Sequence, residues 1–261
     1  MRSQQAEAGQ RRFSRCPKCG QRPLPADQAL PAACPACGVI LAKMAALEAR
    51  PRPAPAAAAA DDGESLAGRL LQLPERVDAL HWWLRAALLA AFTLWGFVLI
   101  AMDYRVGEIG QSFLHGPLLV FHEAGHVIFR PLGAWVGVLG GTLAQLLLPA
   151  LIAVAFLWRN RDPFGAAIGL WLLGVSLLDV APYMYDALQP QLTLLNGGVG
   201  EEGGHDWIFL FESLGLRPRA QFIGAATHKL GALLILLALG WAAWLLALQR
   251  RLMRGDVLHE G

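Results

Sequence analysis

Long apolar stretches dominate the chain after residue 80, separated by short polar segments. Four of them are long enough to cross a bilayer as helices, since about 20 apolar residues span its hydrocarbon core. These stretches cover 81–104, 138–158, 164–187 and 226–248. A fifth, 112–130, is apolar but carries several polar residues. The pattern predicts a mainly α, polytopic α-helical membrane protein with four to five membrane helices.

The charges bear on the number of crossings. If 112–130 crosses fully, the 159–161 loop and the basic tail 250–261 both fall outside, against the positive-inside trend. If it enters only partly, there are four crossings, and the N-terminus, that loop and the tail all lie inside. Partial insertion is allowed where a segment is buried in protein. The charges favour four, with the N-terminal region and the C-terminal tail cytoplasmic and, given the Ala/Leu/Arg-rich composition, a bacterial cytoplasmic membrane.

The segments around the membrane part have their own patterns. Residues 50–65 are a Pro/Ala-rich linker. In 66–80, leucines and a valine recur at helical spacing with arginines opposite, which predicts an amphipathic helix at the membrane interface. The membrane domain then covers 81–249. In the long polar loop 188–225, we expect a short helix with Asp206 as its N-cap.

Composition agrees with a membrane protein. Apolar residues make up 55% of the 261 residues and charged residues 16%, against about 45–50% and 25% in soluble domains. All four cysteines lie in the first forty residues, and the N-terminus has no apolar core typical of a secretory signal. We therefore expect this region to stay in a reducing compartment, where paired cysteines more often bind metal than form disulfides.

The cysteines form two copies of the pattern C-P-x-C-G, at Cys16/Cys19 and Cys34/Cys37. Each pair aims two thiolates at one point, and four thiolates make a closed tetrahedral zinc site. Residues 1–49 are therefore predicted to be a small zinc ribbon and a short helix. The alternatives are two disulfides or an iron site. Five basic residues accompany a single aromatic, a weak nucleic-acid footprint, so we expect a protein partner here rather than nucleic acid.

The membrane part contains the sequence H-E-x-x-H at 122–126. On a helix, His122 and His126 lie one turn apart on one face and can bind one zinc ion, with Glu123 as general base. Ionisable groups in a membrane helix are costly, so they should face the protein interior. The alternative is a buried His/Glu cluster that only hydrogen-bonds neighbouring helices.

Two histidines leave a catalytic zinc one protein ligand short. His115 lies two turns before His122, too far to reach the same ion, so we interpret it as a supporting or packing residue. Asp179 and Asp186 lie in a membrane helix with Pro182 between them, and one of them is expected to meet the zinc. The residues that remain as candidates for the third ligand, from the N-terminal to the C-terminal side, are Asp179, Asp186, Glu201, Glu202, His205 and Asp206.

An H-E-x-x-H in a membrane helix, followed by an aspartate in a later membrane helix, resembles the site-2 protease family of intramembrane zinc metallopeptidases. The segment Asp179-Val180-Ala181-Pro182-Tyr183-Met184-Tyr185-Asp186 is similar to that family's Asn-x-x-Pro then Leu-Asp-Gly motif, with Tyr185 and Ala187 in place of leucine and glycine. The segment 140–145 is similar to its small-residue stretch. The resemblance implies that Asp186 is the third zinc ligand and Asp179 a supporting or alternative one. His205 and Asp206 are candidate accessory residues.

We therefore expect an intramembrane zinc metallopeptidase that hydrolyses membrane-associated polypeptides, with one catalytic and one structural Zn²⁺. A ribbon whose zinc is fully ligated would recruit a partner rather than do chemistry. The alternative is a non-catalytic metal-binding membrane protein, such as a sensor, a transporter component or an assembly factor. Glu123 separates the two, because a purely structural zinc site needs no general base beside its histidines.

Overall fold

A computed structural model describes residues 13–49, 65–73 and 78–255. Residues 1–12, all of the predicted linker except Ser65, residues 74–77 and the last six residues of the tail lie outside these ranges. The chain divides into two compact units, Met1–Glu64 and Ser65–Gly261.

The first unit is built on two matching turns. In each, a glycine four positions after the first cysteine closes the loop: Gly20 N–H donates to the Cys16 carbonyl and Gly38 N–H to the Cys34 carbonyl, both at 2.9 Å. The two glycines have φ of 76° and 69°, the left-handed region that glycine enters without a steric penalty. Helix α1, Leu41–Ala49, follows, in the place predicted for the short helix.

The second unit is helical throughout its described part, where the one β-pairing is an isolated bridge between Thr193 and Val199. Four short 3₁₀ turns connect the longer elements, at Glu108–Gln111, Arg130–Leu132, Gly200–Gly203 and Arg217–Arg219. The α-helices in chain order are α2 Leu66–Leu70, α3 Ala79–Ala101, α4 His115–Phe129, α5 Ala134–Trp158, α6 Pro163–Asp186, α7 Asp206–Ser213 and α8 Ala220–Met253.

Four of these helices, α3, α5, α6 and α8, are long and apolar enough to cross a membrane. They correspond to the four clear apolar stretches of the sequence, and they are consistent with an integral membrane protein. Helix α4 has 15 residues, which at 1.5 Å per residue extend about 22 Å, short of a hydrocarbon core of about 30 Å. Of the two topologies that the sequence allows, these lengths favour the one with four crossings.

Helix α6 is the centre of the bundle, and most of its side chains are buried. Trp171, Val175 and Leu178 on this helix pack with Leu99 of α3 and Ile235 of α8 in one apolar cluster. Close contact between α6 and α8 depends on glycine: a Cβ on Gly174 would lie 2.8 Å from the Gly231 carbonyl oxygen. The core therefore fixes α6, which also carries the buried carboxylates Asp179 and Asp186.

One end of the bundle collects the start of α3, the turn between α5 and α6, and the end of α8. Trp82 donates its indole N–H to the Leu246 carbonyl at 2.9 Å, and Arg85 lies 3.2 Å from Asp162. The arginines at 159, 161, 250, 251 and 254 belong to these same segments. The start of α3, the basic loop and the basic tail therefore share one end of the bundle.

Two sequence predictions differ from the structure. The helix predicted over 66–80 ends at Leu70, and Asp78 caps the separate helix α3. Pro74 explains the interruption, since proline disfavours helical backbone in the residue before it. The helix in the 188–225 loop is present as α7, but its N-cap is His205, whose Nδ1 accepts the Ile208 N–H at 3.3 Å. Asp206 is the first helical residue, and its carboxylate is used elsewhere.

Candidate metal and active site

Helix α4 presents two imidazoles on one face. His122 and His126 are one turn apart, with ring centroids 4.9 Å from each other, and His122 is buried. A backbone carbonyl only accepts hydrogen bonds, so His126 Nδ1, at 2.9 Å from the Gly137 oxygen, carries the proton. His122 Nδ1 lies 3.0 Å from Gln145 Oε1, which is also an acceptor. Both rings therefore direct Nε2 away from these partners, and Nε2 is the atom that would bind a metal ion once it has lost its proton.

Asp206 meets both Nε2 atoms. Its Oδ2 lies 3.0 Å from Nε2 of His122 and 3.2 Å from Nε2 of His126. Ligand atoms about 2.0–2.1 Å from a tetrahedral zinc ion lie about 3.3 Å from one another. Asp206 Oδ2 is therefore about as far from each nitrogen as two ligands of one zinc ion are from each other, and the set of two imidazoles and a carboxylate suits that ion.

Glycine keeps the space beside this trio open. A Cβ at Gly141 would lie 2.6 Å from Nε2 of His122 and 2.6 Å from Nε2 of His126. The helices also approach closely there, since a Cβ at Gly125 would lie 2.1 Å from the Gly140 carbonyl oxygen. Small residues at 125, 140 and 141 thus let α4 and α5 touch and leave room at the two nitrogen atoms where an ion would bind.

Glu123 completes the group. A carboxylate oxygen of this residue and ligand atoms of His122 and His126 all lie within 4.8 Å of one another. A cavity of about 620 Å³ opens in front of them, and its lining includes Glu123, both histidines, Asp206 and Tyr183. The opposite wall comes from Leu192–Asn196, next to the Thr193–Val199 bridge. A substrate that enters this cavity would meet the carboxylate and the three ligand atoms together.

The electrostatics of the trio reflect mutual attraction. The hydrogen bond with Asp206 raises the pKa of His126 to about 9, against the effect of burial, and the Gly137 carbonyl adds to the increase. Burial raises the pKa of Asp206, but hydrogen bonds with His122 and His126 outweigh it and lower that pKa overall. The Asp206 carboxylate thus favours a positive charge on His126. A divalent cation bound between these groups would supply that positive charge in place of the proton.

A buried polar chain holds His122 from behind. Gln145 accepts from His122 through Oε1 and donates through Nε2 to Asp179 Oδ2 at 2.8 Å. The other oxygen of Asp179 lies 2.8 Å from His115 Nδ1, and this hydrogen bond raises the pKa of His115 although burial opposes it. The structure thus connects Asp179 and His115 to His122 through Gln145.

Asp186 does not lie where the sequence reasoning put it. Its Oδ1 accepts the backbone N–H groups of Gln191 and Leu192 at 2.7 and 3.2 Å. Its Oδ2 lies 3.3 Å from His205 Nε2, a close charge contact that is not aligned as a hydrogen bond. Asp206 occupies the position beside the histidines that was expected for Asp186. The reason is local: Asp186 ends α6, where its carboxylate is used to cap the turn that follows.

His205 and Asp206 are neighbours with opposite orientations. His205 is buried and turns toward Asp186, whereas Asp206 turns toward α4. The Asp206 N–H donates to the Tyr183 hydroxyl at 2.9 Å, and the Tyr183 ring stacks on His205 with centroids 4.1 Å apart. The left-handed Gly204, with φ of 74°, makes the turn before them. Helix α7 is thereby held at both its cap and its first residue.

The four cysteines of the first unit form a second, separate cluster. Cys16 Sγ lies 3.7 Å from Cys37 Sγ, and Cys19 Sγ lies 3.7 Å from Cys34 Sγ. Four sulfurs about 2.3 Å from one zinc ion would be about 3.8 Å apart, whereas a disulfide needs sulfurs about 2.05 Å apart. The geometry suits a metal site with four thiolates, as expected for a zinc ribbon.

Three residues of the membrane site were not given their observed positions by the sequence analysis. Asp206 was among the candidates for the third ligand, but its adjacency to a tryptophan favoured a capping role. Gln145 was noted only within a small-residue segment, although a glutamine inside an apolar span is itself a signal of buried hydrogen bonding. Tyr183 carried no signal beyond lying next to Pro182, and only the fold brings it to Asp206.

Comparison with known proteins adds no family to these observations: no family model, no curated protein and no solved structure matches the chain.

Proposed function

We propose that the protein is an integral membrane zinc metallopeptidase. The observation that carries this proposal is that Asp206 Oδ2 lies about 3 Å from Nε2 of both His122 and His126, with Glu123 beside the two histidines. Gly141 leaves room at both nitrogens, and the cavity gives access to the carboxylate. A structural metal site needs neither the open space nor the extra acid.

Each residue has a distinct task in this proposal. His122, His126 and Asp206 would hold the zinc ion at the wall of the cavity that they line. When bound, the ion supplies Lewis acidity, which makes hydroxide available near neutral pH. Glu123 takes the proton from the attacking water and passes it to the leaving amine. Gln145 and the Gly137 carbonyl keep the two rings in the tautomer that leaves Nε2 free.

The substrate class follows from the setting of the site. Helix α4 lies among four helices apolar enough to cross a membrane, so a substrate that reaches the cavity comes from a polypeptide in or at the bilayer. The resemblance of the H-E-x-x-H segment to the site-2 protease family supports the same substrate class. The third ligand proposed here is Asp206, which is not the residue that the resemblance implied.

We also propose an orientation in the membrane. The arginines gather at the end of the bundle formed by the start of α3, the α5–α6 turn and the end of α8, and the positive-inside trend assigns that end to the cytoplasm. The ribbon and the C-terminal tail would then be cytoplasmic, in a bacterial cytoplasmic membrane. With four thiolates on its metal, the ribbon has no open position and would recruit a protein partner.

The first test is zinc content of the full chain purified in detergent. We expect two zinc ions per wild-type chain, one in Asp206→Ala, and two in Asp186→Asn, which serves as the matched control. Loss of the second ion in Asp186→Asn with retention in Asp206→Ala would move the third ligand back to Asp186. If the His122→Ala variant kept both zinc ions, the proposal of a metal site in the membrane part would be wrong.

The second test is hydrolysis. The full chain is reconstituted in vesicles with a mixture of single-span membrane polypeptides, and new peptide termini are detected by mass spectrometry. Glu123→Gln should lower the cleavage rate about 10²–10⁴-fold, the range for loss of a general base, while both zinc ions remain. A fully zinc-loaded wild type that produces no new termini would favour the alternative, a non-catalytic metal-binding membrane protein.

A further inference from the structure

We infer that the Tyr183 hydroxyl is a catalytic hydrogen-bond donor, which stabilises the negative charge that develops on the scissile carbonyl oxygen during attack. This inference rests on the proposed peptidase function and adds a residue to it. The sequence shows no sign of it, since Tyr183 lies within an apolar helix.

Tyr183 is placed beside the proposed chemistry. It lines the same cavity as His122, Glu123 and Asp206. Its ring centroid lies 6.1 Å from that of His122, and its hydroxyl lies 2.9 Å from the backbone nitrogen of Asp206. A carbonyl group held between Glu123 and the ligand trio would therefore have the phenol as a neighbour.

The hydrogen bond to Asp206 orients the hydroxyl. A backbone N–H only donates, so the Tyr183 oxygen accepts in this contact and its own proton must point elsewhere. The phenol thus uses one lone pair to hold the first residue of α7 and keeps an O–H that can be given to another acceptor. Because phenols have a pKa near 10, that proton is present at neutral pH.

The ring is also held in place. It stacks on the imidazole of His205 at 4.1 Å, and His205 is buried between α7 and Asp186. A donor fixed before the reaction stabilises developing charge more than one that must reorient. Two other polar side chains of the cavity, His115 and Gln145, already direct a nitrogen at Asp179. Tyr183 is therefore a fixed donor next to the ligand trio.

The experiment compares Tyr183→Phe with Tyr185→Phe in the full chain loaded with zinc. Tyr185 is two residues further along α6, and its ring packs against Tyr104 rather than the cavity. We expect Tyr183→Phe to lower kcat about 10²-fold, the usual effect of losing one such donor. KM should change less than threefold and zinc affinity, measured by chelator competition, should stay within threefold. Tyr185→Phe should match the wild type in all three.

A binding measurement gives a readout independent of turnover. A peptide phosphinate carries a tetrahedral, negatively charged centre, so its affinity reports the donor directly. Tyr183→Phe should weaken phosphinate binding at least tenfold. Peptide binding is measured in the Glu123→Gln background, where the peptide is not cleaved. Adding Tyr183→Phe to that background should change the peptide affinity little.

The outcomes separate the two proposals. A Tyr183→Phe variant with wild-type kcat and phosphinate affinity overturns the role of Tyr183 and leaves the peptidase function standing. A variant that loses zinc in proportion to activity also overturns it, because the tyrosine would then act only by holding Asp206. A zinc-loaded wild type that cleaves nothing overturns the peptidase function, and the catalytic role of Tyr183 with it.

Discussion

The four-cysteine cluster and the histidine–aspartate site are assembled in opposite ways. The cysteines come from two short turns with the same hydrogen bonds, and the outermost two, Cys16 and Cys37, are 21 positions apart. The membrane ligands come from α4 and α7, and Asp206 is 84 residues from His122. The first cluster is complete once two local turns meet, whereas the second exists only when the helix bundle has folded.

The two sites also differ in what surrounds the ligands. Four thiolates saturate a tetrahedral ion, and this arrangement is typical of metals that stabilise a fold. In the proposed site, the trio of His122, His126 and Asp206 would leave one position of a zinc ion free, and Glu123 and a cavity of about 620 Å³ lie next to it. Ligand number and open space, more than the ion itself, therefore distinguish a stabilising site from a reactive one.

The largest expected effect concerns the cysteine cluster. Cys34→Ser should abolish its metal binding and unfold the described part of the first unit, because structural zinc contributes about 10–16 kcal/mol to such small domains. Zinc per chain should fall from two to one, as measured by elemental analysis. Lys18→Ala, an exposed residue between two of the cysteines, is the control. Loss of the membrane zinc as well would show that the two sites are not independent.

A smaller change should empty the membrane site alone. Gly141→Ala places a methyl group 2.6 Å from both Nε2 atoms, so we expect the zinc content to fall from two ions to one with the fold retained. Gly240→Ala is the matched control, since a Cβ there has no atom within 4 Å. Circular dichroism monitors the helices of both variants. Two zinc ions in Gly141→Ala would place the metal away from this pair of nitrogens.

Next in size is the layer behind the ligands. Gln145→Leu removes the partner of His122 Nδ1, and loss of such a partner typically costs 10–100-fold in metal affinity. Chelator competition should show this weakening at the membrane site and no change at the cysteine cluster. Gln249→Leu, at another buried glutamine in α8, controls for the loss of a buried amide. Equal affinities in the two variants would mean that Gln145 does not orient His122.

The smallest effect depends on pH. Because Asp179 raises the pKa of His115 above its value in the unfolded chain, their contact stabilises the fold below about pH 6.5. That stabilisation is lost as pH rises through the folded pKa. The difference in thermal stability between wild type and His115→Gln should therefore be larger at pH 6 than at pH 9. A difference that grows toward pH 9 would contradict the assignment.

Local patterns explain why much of the fold was predictable. The four candidate spans, the two cysteine turns and the histidine pair on α4 all depend on residues close together in sequence, where apolar runs and helical spacing determine structure. The five-residue α2 shows the limit of such patterns: helical periodicity continued to residue 80, but the described helix ends at Leu70.

The third ligand was harder to predict because it depends on tertiary structure. Asp179, Asp186 and Asp206 are all buried or nearly so, and each could in principle approach a metal ion. Their roles differ through their neighbours: Gln145 engages Asp179, the turn after α6 engages Asp186, and the two imidazoles engage Asp206. The sequence does not tell which helix end lies against α4. The expectation therefore followed the resemblance to the site-2 protease motif, which pointed to Asp186.

The long separation between the ligands has a consequence for biosynthesis. A ribosome makes His126 some 80 residues before Asp206, and α5, α6 and the turn that begins at Gly204 must all be synthesised in between. During that interval the nascent chain contains Glu123 and two imidazoles but lacks the carboxylate that completes the trio. If the site is the hydrolytic centre proposed above, it therefore stays incomplete until Asp206 has been synthesised, and the machinery that inserts the chain meets no active peptidase before that point.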